Sequence, residues 1–120
     1  MTKILIAEDE NDIRELIKLT LQFNGFDVTT AYDGQNAVEL AGTADFDLIM
    51  MDVRMPRLTG YEACEVLKAD PKTKDIPIIF LSAKGQESEI AIGKEVGAAG
   101  YLLKPFAPDQ LVKKIREILA

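Results

Sequence analysis

Five side chains able to do chemistry together are spread along the whole chain, and each stands at the end of a short apolar run. Glu8 and Asp9 follow Ile4 to Ala7, Asp52 follows Leu48 to Met51, Ser82 follows Ile76 to Leu81, and Lys104 follows Gly100 to Leu103. Taken one at a time each has an ordinary explanation. Glu8 and Asp9 read as solvated loop charges, Asp52 as a residue that starts a turn or caps a helix, Ser82 as a turn hydroxyl and Lys104 as a surface amine. Their combination changes the weighing. Three carboxylates brought to one point repel each other unless a cation lies between them, and an all-oxygen set with open positions suits Mg²⁺. An ammonium and a hydroxyl beside that cation complete a site for a doubly charged phosphoryl group. A carboxylate oxygen can then attack phosphorus and form an acyl phosphate.

Such convergence requires the apolar runs to be parallel strands ending at one edge of a sheet, where ligands of open α/β folds bind. The stretch Asp47 to Pro56, DLIMMDVRMP, carries the argument furthest: four apolar residues deliver Asp52 to a loop that Pro56 keeps out of the ladder. Strands are expected at Lys3 to Ala7, Phe26 to Ala31, Asp47 to Asp52, Ile76 to Leu81 and Gly100 to Leu103. Helices are expected at Asn11 to Phe23, Asn36 to Ala41, Tyr61 to Ala69, Glu87 to Val96 and Pro108 to Leu119. In the first helix Ile13, Leu16, Ile17, Thr20 and Leu21 mark the buried face, Asn11 or Asp12 the cap and Asn24-Gly25 the stop. Ala63, Val66 and Leu67 mark the inner face of the third, and Leu111, Val112, Ile115, Ile118 and Leu119 that of the fifth. Alternation of five strands with five helices, without a linker, gives an α/β fold: a doubly wound (βα)5 domain, residues 1 to 120, on a five-stranded parallel sheet.

Composition removes several functions. The chain has 120 residues, 48% of them apolar, and a net charge of -6 with no cluster of Lys or Arg, so direct nucleic-acid binding is not expected. No histidine is present, which excludes Ser-His and Cys-His nucleophile pairs and His-ligated zinc. The lone Cys64 cannot form an intrachain disulfide, and the apolar run after Met1 is too short for a signal peptide or a membrane span. A soluble, cytoplasmic protein is expected.

The ordered set of an acidic pair, Asp-x-x-Met-Pro, a Ser-Ala pair and Lys-Pro-Phe resembles the receiver domains of two-component response regulators along essentially the full chain. The resemblance implies the flavodoxin-like strand order 2-1-3-4-5. It implies that Asp52 accepts a phosphoryl group from the phosphohistidine of a sensor kinase or phosphotransfer protein. Glu8 and Asp9 would be the metal pair, with the Arg54 backbone carbonyl a further Mg²⁺ ligand and Lys104 the phosphate counter-ion. Ser82 and Tyr101 would be the switch pair, and the Lys104-Pro105 bond would be cis. Phosphorylation would draw the Ser82 hydroxyl inward and let Tyr101 turn, altering the face of the fourth helix, fifth strand and fifth helix to control a downstream protein.

Departures from the family pattern sharpen these expectations. Glu8 stands where many members have Asp, and Ser82 lacks the methyl of the commoner Thr while keeping the donor. Arg54 and Lys84 flank the site and are expected to set the lifetime of the acyl phosphate. Ala99-Gly100 replaces the Asp-Asp of members that dimerise through their last elements, so a monomer without an output domain is expected. A haloacid dehalogenase-type phosphatase would place a second Asp where Arg54 stands. A flavin-binding module would need a Gly- and Ser-rich phosphate loop in place of Glu8-Asp9-Glu10.

Overall fold

The computed structural model describes residues 1–82 and 87–120, with the side chains of 87–89 left aside. Its elements run β1 (Lys3–Ala7), α1 (Asn11–Phe23), β2 (Asp27–Ala31), α2 (Gly34–Ala41), β3 (Leu48–Asp52), α3 (Gly60–Ala69), β4 (Ile78–Ser82), α4 (Glu87–Glu95), β5 (Gly100–Leu103) and α5 (Pro108–Leu119). All strand pairs are parallel and the sheet order is β2-β1-β3-β4-β5, as the resemblance implied. The central strands β3 and β4 are buried along their whole length, which explains their continuous apolar runs.

The two-residue period of each strand divides the core. Leu5, Ala7, Ile49, Met51, Ile78 and Phe80 face one side with residues of α2 and α3, while Ile4, Ile6, Leu48, Met50, Ile79 and Leu81 face the other with α1 and α5. The same period places Glu8 in phase with Ile4 and Ile6, and Asp52 in phase with Leu48 and Met50, so both carboxylates project from the same face.

Several boundaries differ from the expected ones for identifiable reasons. β4 begins at Ile78, two residues late, because Pro77 has no N–H for the ladder and contributes only a carbonyl, which accepts from Ile49 at 3.0 Å. At its other end β4 runs one residue further than expected, through Ser82, which pairs with Leu103 of β5. α2 begins at Gly34, since Asp33 caps it by accepting from the Asn36 N–H at 2.7 Å. In α1 the cap is Glu10, not Asn11 or Asp12, and its side chain makes no capping bond. Leu16 is 57% exposed, not buried: it lies one residue, about 100°, from Ile17, and with Leu19 and Phe23 it forms a second, outward stripe. Val66 is likewise exposed, because α3 turns Ala63, Cys64 and Leu67 inward.

Two glycines are placed by necessity. Gly25 ends α1 at φ +89, with its N–H on Gln22 O and that of Phe26 on Leu21 O, both at 3.0 Å. Gly60 opens α3 hard against the end of β3: a β-carbon there would collide with the Asp52 carbonyl oxygen, and its N–H donates to Val53 O at 2.8 Å. Among the described residues no helix is long and apolar enough to cross a membrane.

Candidate functional site

The parallel sheet brings the ends of β1, β3 and β5 together, and with them Glu8, Asp52 and Lys104. The Lys104 ammonium bridges the two carboxylates, 2.5 Å from Glu8 Oε1 and 3.1 Å from Asp52 Oδ2. Asp52 Oδ1 accepts the Arg54 backbone N–H at 3.3 Å, while the Arg54 side chain points to solvent. Glu8 is 0% exposed and Asp52 7% exposed. Asp9 is exposed and completes the cluster, in which carboxylate oxygens of Glu8, Asp9 and Asp52 lie within 4.8 Å of one another.

Electrostatics at this point are those of carboxylates held together short of positive charge. Burial, with Asp52 adding to it, pushes the Glu8 carboxyl from its ordinary 4.5 up to about 8 against the pull of Lys104. Burial also works against the Lys104 ammonium, but the hydrogen bond to Glu8 and the charges of Asp52 and Glu8 outweigh it, so its pKa lies above the ordinary 10.5. Glu8 Oε2 is buried and without a hydrogen-bond partner among the described residues. An orphaned buried carboxylate oxygen, with two more carboxylates beside it, is what a hard, oxygen-seeking cation would satisfy.

Ser82 ends β4 and is 5% exposed. Tyr101, on β5, is half-buried with its ring edge-on to Phe80 at 6.5 Å between centroids, and Phe80 in turn meets Tyr61 edge-on at 5.0 Å. Beside Tyr101 a cavity of about 180 Å³ is lined by Ile90, Gly93 and Lys94 of α4, by Ala98 to Gly100, and by Lys114 of α5. The Lys104-Pro105 bond is cis. Lys84, expected to flank the site, lies outside the described residues.

Three contributors escaped the sequence reading. Gly60 abuts the backbone of Asp52, Asp33 caps the neighbouring α2, and Arg14 donates from Nη1 to the Glu8 carbonyl at 2.7 Å. The Asp33-Gly34-Gln35-Asn36 run carried a capping signal for the second. Nothing in residue spacing announces the other two contacts.

Comparison with known proteins agrees with this geometry. The family model for the response regulator receiver domain matches residues 4–116. A probable transcriptional regulator, ycf27, of Cyanidium caldarium is 40% identical over 116 residues, covering 97% of this chain and 45% of its own length. The chain thus spans about half the length of the curated relatives it matches. Among solved structures, the chemotaxis protein CheY4 of Vibrio cholerae superposes with a TM-score of 0.96 at 39% identity, covering 99% of both chains. The receiver domain of the sensor histidine kinase PA1611 of Pseudomonas aeruginosa, which has a magnesium ion coordinated in its active-site cleft, gives 0.91 at 31% identity over 98% of this chain and 97% of its own. The chain belongs to the response regulator receiver-domain family.

Proposed function

We propose that this chain is a phosphorylation-activated signalling switch of a two-component system, with Asp52 as phosphoacceptor. The observation that carries the reading is the part-buried Lys104 ammonium shared between Glu8 and Asp52, beside a Glu8 oxygen that no donor among the described residues satisfies. Glu8, Asp9 and Asp52, with the Arg54 backbone carbonyl, would hold Mg²⁺. When bound, that cation supplies positive charge against the phosphoryl oxygens.

Asp52 then attacks phosphorus through a carboxylate oxygen. An O–P bond forms, the N–P bond of the donor phosphohistidine breaks, and its electron pair returns to the imidazole nitrogen. Lys104 is already within reach of Asp52 and exchanges its carboxylate partners for a phosphoryl oxygen. The Ser82 hydroxyl, at the end of the adjacent strand, donates to another. That inward pull on Ser82 repacks Tyr101 against Phe80 and alters the face of α4, β5 and α5, where a downstream protein binds. The donor is a sensor histidine kinase or a phosphotransfer protein. The chain promotes its own phosphorylation and dephosphorylation but turns over no separate substrate. It works in the cytoplasm as a monomer and makes no direct contact with nucleic acid.

Intact-mass spectrometry after incubation with Mg²⁺ and acetyl phosphate tests the reading. One added phosphoryl group is expected, absent in EDTA and in Asp52→Asn. An adduct that persists in Asp52→Asn would overturn it.

A further inference from the structure

We propose that Arg14 is a positioning residue that locks the β1–α1 turn so that Glu8 and Asp9 present their carboxylates to the divalent cation; the inference rests on the reading above. The start of α1 lacks its usual anchor. Asp33 caps α2, and a reciprocal pair, Thr59 and Glu62, caps α3, but the Glu10 side chain makes no capping bond at α1. Arg14, one turn into the helix, reaches back instead. Its Nη1 donates to the Glu8 carbonyl at 2.7 Å and its Nη2 donates to Asn11 Oδ1.

The consequence falls on Asp9. The Glu8 N–H is already held by Ala31 O at 3.1 Å, so with Arg14 on its carbonyl both backbone polar groups of Glu8 are fixed. The peptides on either side of Glu8 are thus each held by one bond, and the one leading into Asp9 is held through its carbonyl by Arg14. Among the described residues the Asp9 carboxylate has no hydrogen bond or ion pair of its own, and it is exposed. Only the backbone holds it in the cluster. A planar guanidinium can serve the carbonyl and the Asn11 side chain together, whereas a single ammonium serves such divergent acceptors poorly.

The test compares Mg²⁺ affinity by isothermal titration calorimetry in the wild type, Arg14→Ala, Arg14→Lys and Asn11→Ala. Thermal midpoints in EDTA are recorded alongside, with Ile17→Val as a core variant of lowered stability that leaves Arg14, Asn11 and the carboxylates in place. Loss of a residue that orients metal ligands weakens affinity by about 10-fold or more, the effect expected for Arg14→Ala. Arg14→Lys is expected to recover part of that loss and Asn11→Ala to show a smaller one, while Ile17→Val binds as the wild type does. Wild-type affinity in Arg14→Ala would overturn the inference. Should Arg14→Ala fail to fold, unchanged affinity in both Arg14→Lys and Asn11→Ala would do the same. Absence of Mg²⁺ binding in the wild type would instead overturn the reading on which it rests.

Discussion

Replacing Glu8 by Gln removes a charge that the metal-free fold holds against its own stability. Glu8 is fully buried, and burial followed by the neighbouring Asp52 raises its carboxyl from 4.5 to about 8. An acid whose folded pKa lies above its unfolded one binds more protons when folded. It therefore costs nothing below pH 4.5 and withdraws stability as pH climbs from there through about 8. At about 1.4 kcal/mol per unit of pH, the wild type loses roughly 2 kcal/mol between pH 6 and pH 8 that the variant does not lose. The pull of Lys104 on the ionised carboxyl is already contained in that raised value and is not counted again. Lys104, held above its ordinary value, stays charged across this range, so the difference in slope reports Glu8. The assay is urea denaturation in EDTA at pH 6, 7 and 8. Wild-type stability should fall relative to Glu8→Gln over this range. Saturating Mg²⁺ should then stabilise the wild type more than the variant, which has lost a carboxylate from the site. Parallel stability curves from pH 6 to pH 8 would refute the reasoning.

Other consequences follow from particular contacts. Gly60→Ala drives a methyl group into the Asp52 carbonyl, so a loss of about 1–3 kcal/mol by denaturation and slower phosphorylation by acetyl phosphate are expected together. Burial pushes the Cys64 thiol up to about 11, and its Sγ–H donates to Val96 O at 3.3 Å, so it should resist thiol reagents at pH 7–8 until urea unfolds the chain. Arg54→Ala removes an exposed basic side chain two residues beyond Asp52, and we expect a changed rate of acyl-phosphate hydrolysis, followed by loss of the mass adduct with time.

The site was legible to the extent that strands declare their ends. The apolar runs before Glu8, Asp52 and Lys104 gave both the elements and the edge, because the buried stretch of a parallel strand carries no charge before its C-terminal end. Contacts made across the sequence were not legible. Gly60 against Asp52 and Arg14 against the Glu8 carbonyl depend on how a loop closes, which no periodicity encodes. Leu16 was misjudged because α1 carries apolar residues on two faces, and only packing on the sheet decides which stripe is buried. The late start of β4 was available in principle, since Pro77 interrupts its donors.

The central claim is that the phosphoryl group resides on the Asp52 carboxylate, and borohydride trapping tests it most directly. Borohydride reduces an acyl phosphate to an alcohol, converting the phosphorylated Asp to homoserine, which peptide mass mapping locates. After incubation with acetyl phosphate and Mg²⁺, the account predicts homoserine at position 52 and at no other acidic residue, with none formed in EDTA. Homoserine at Asp9, or a phosphoryl adduct with no reduced residue at 52, would contradict it.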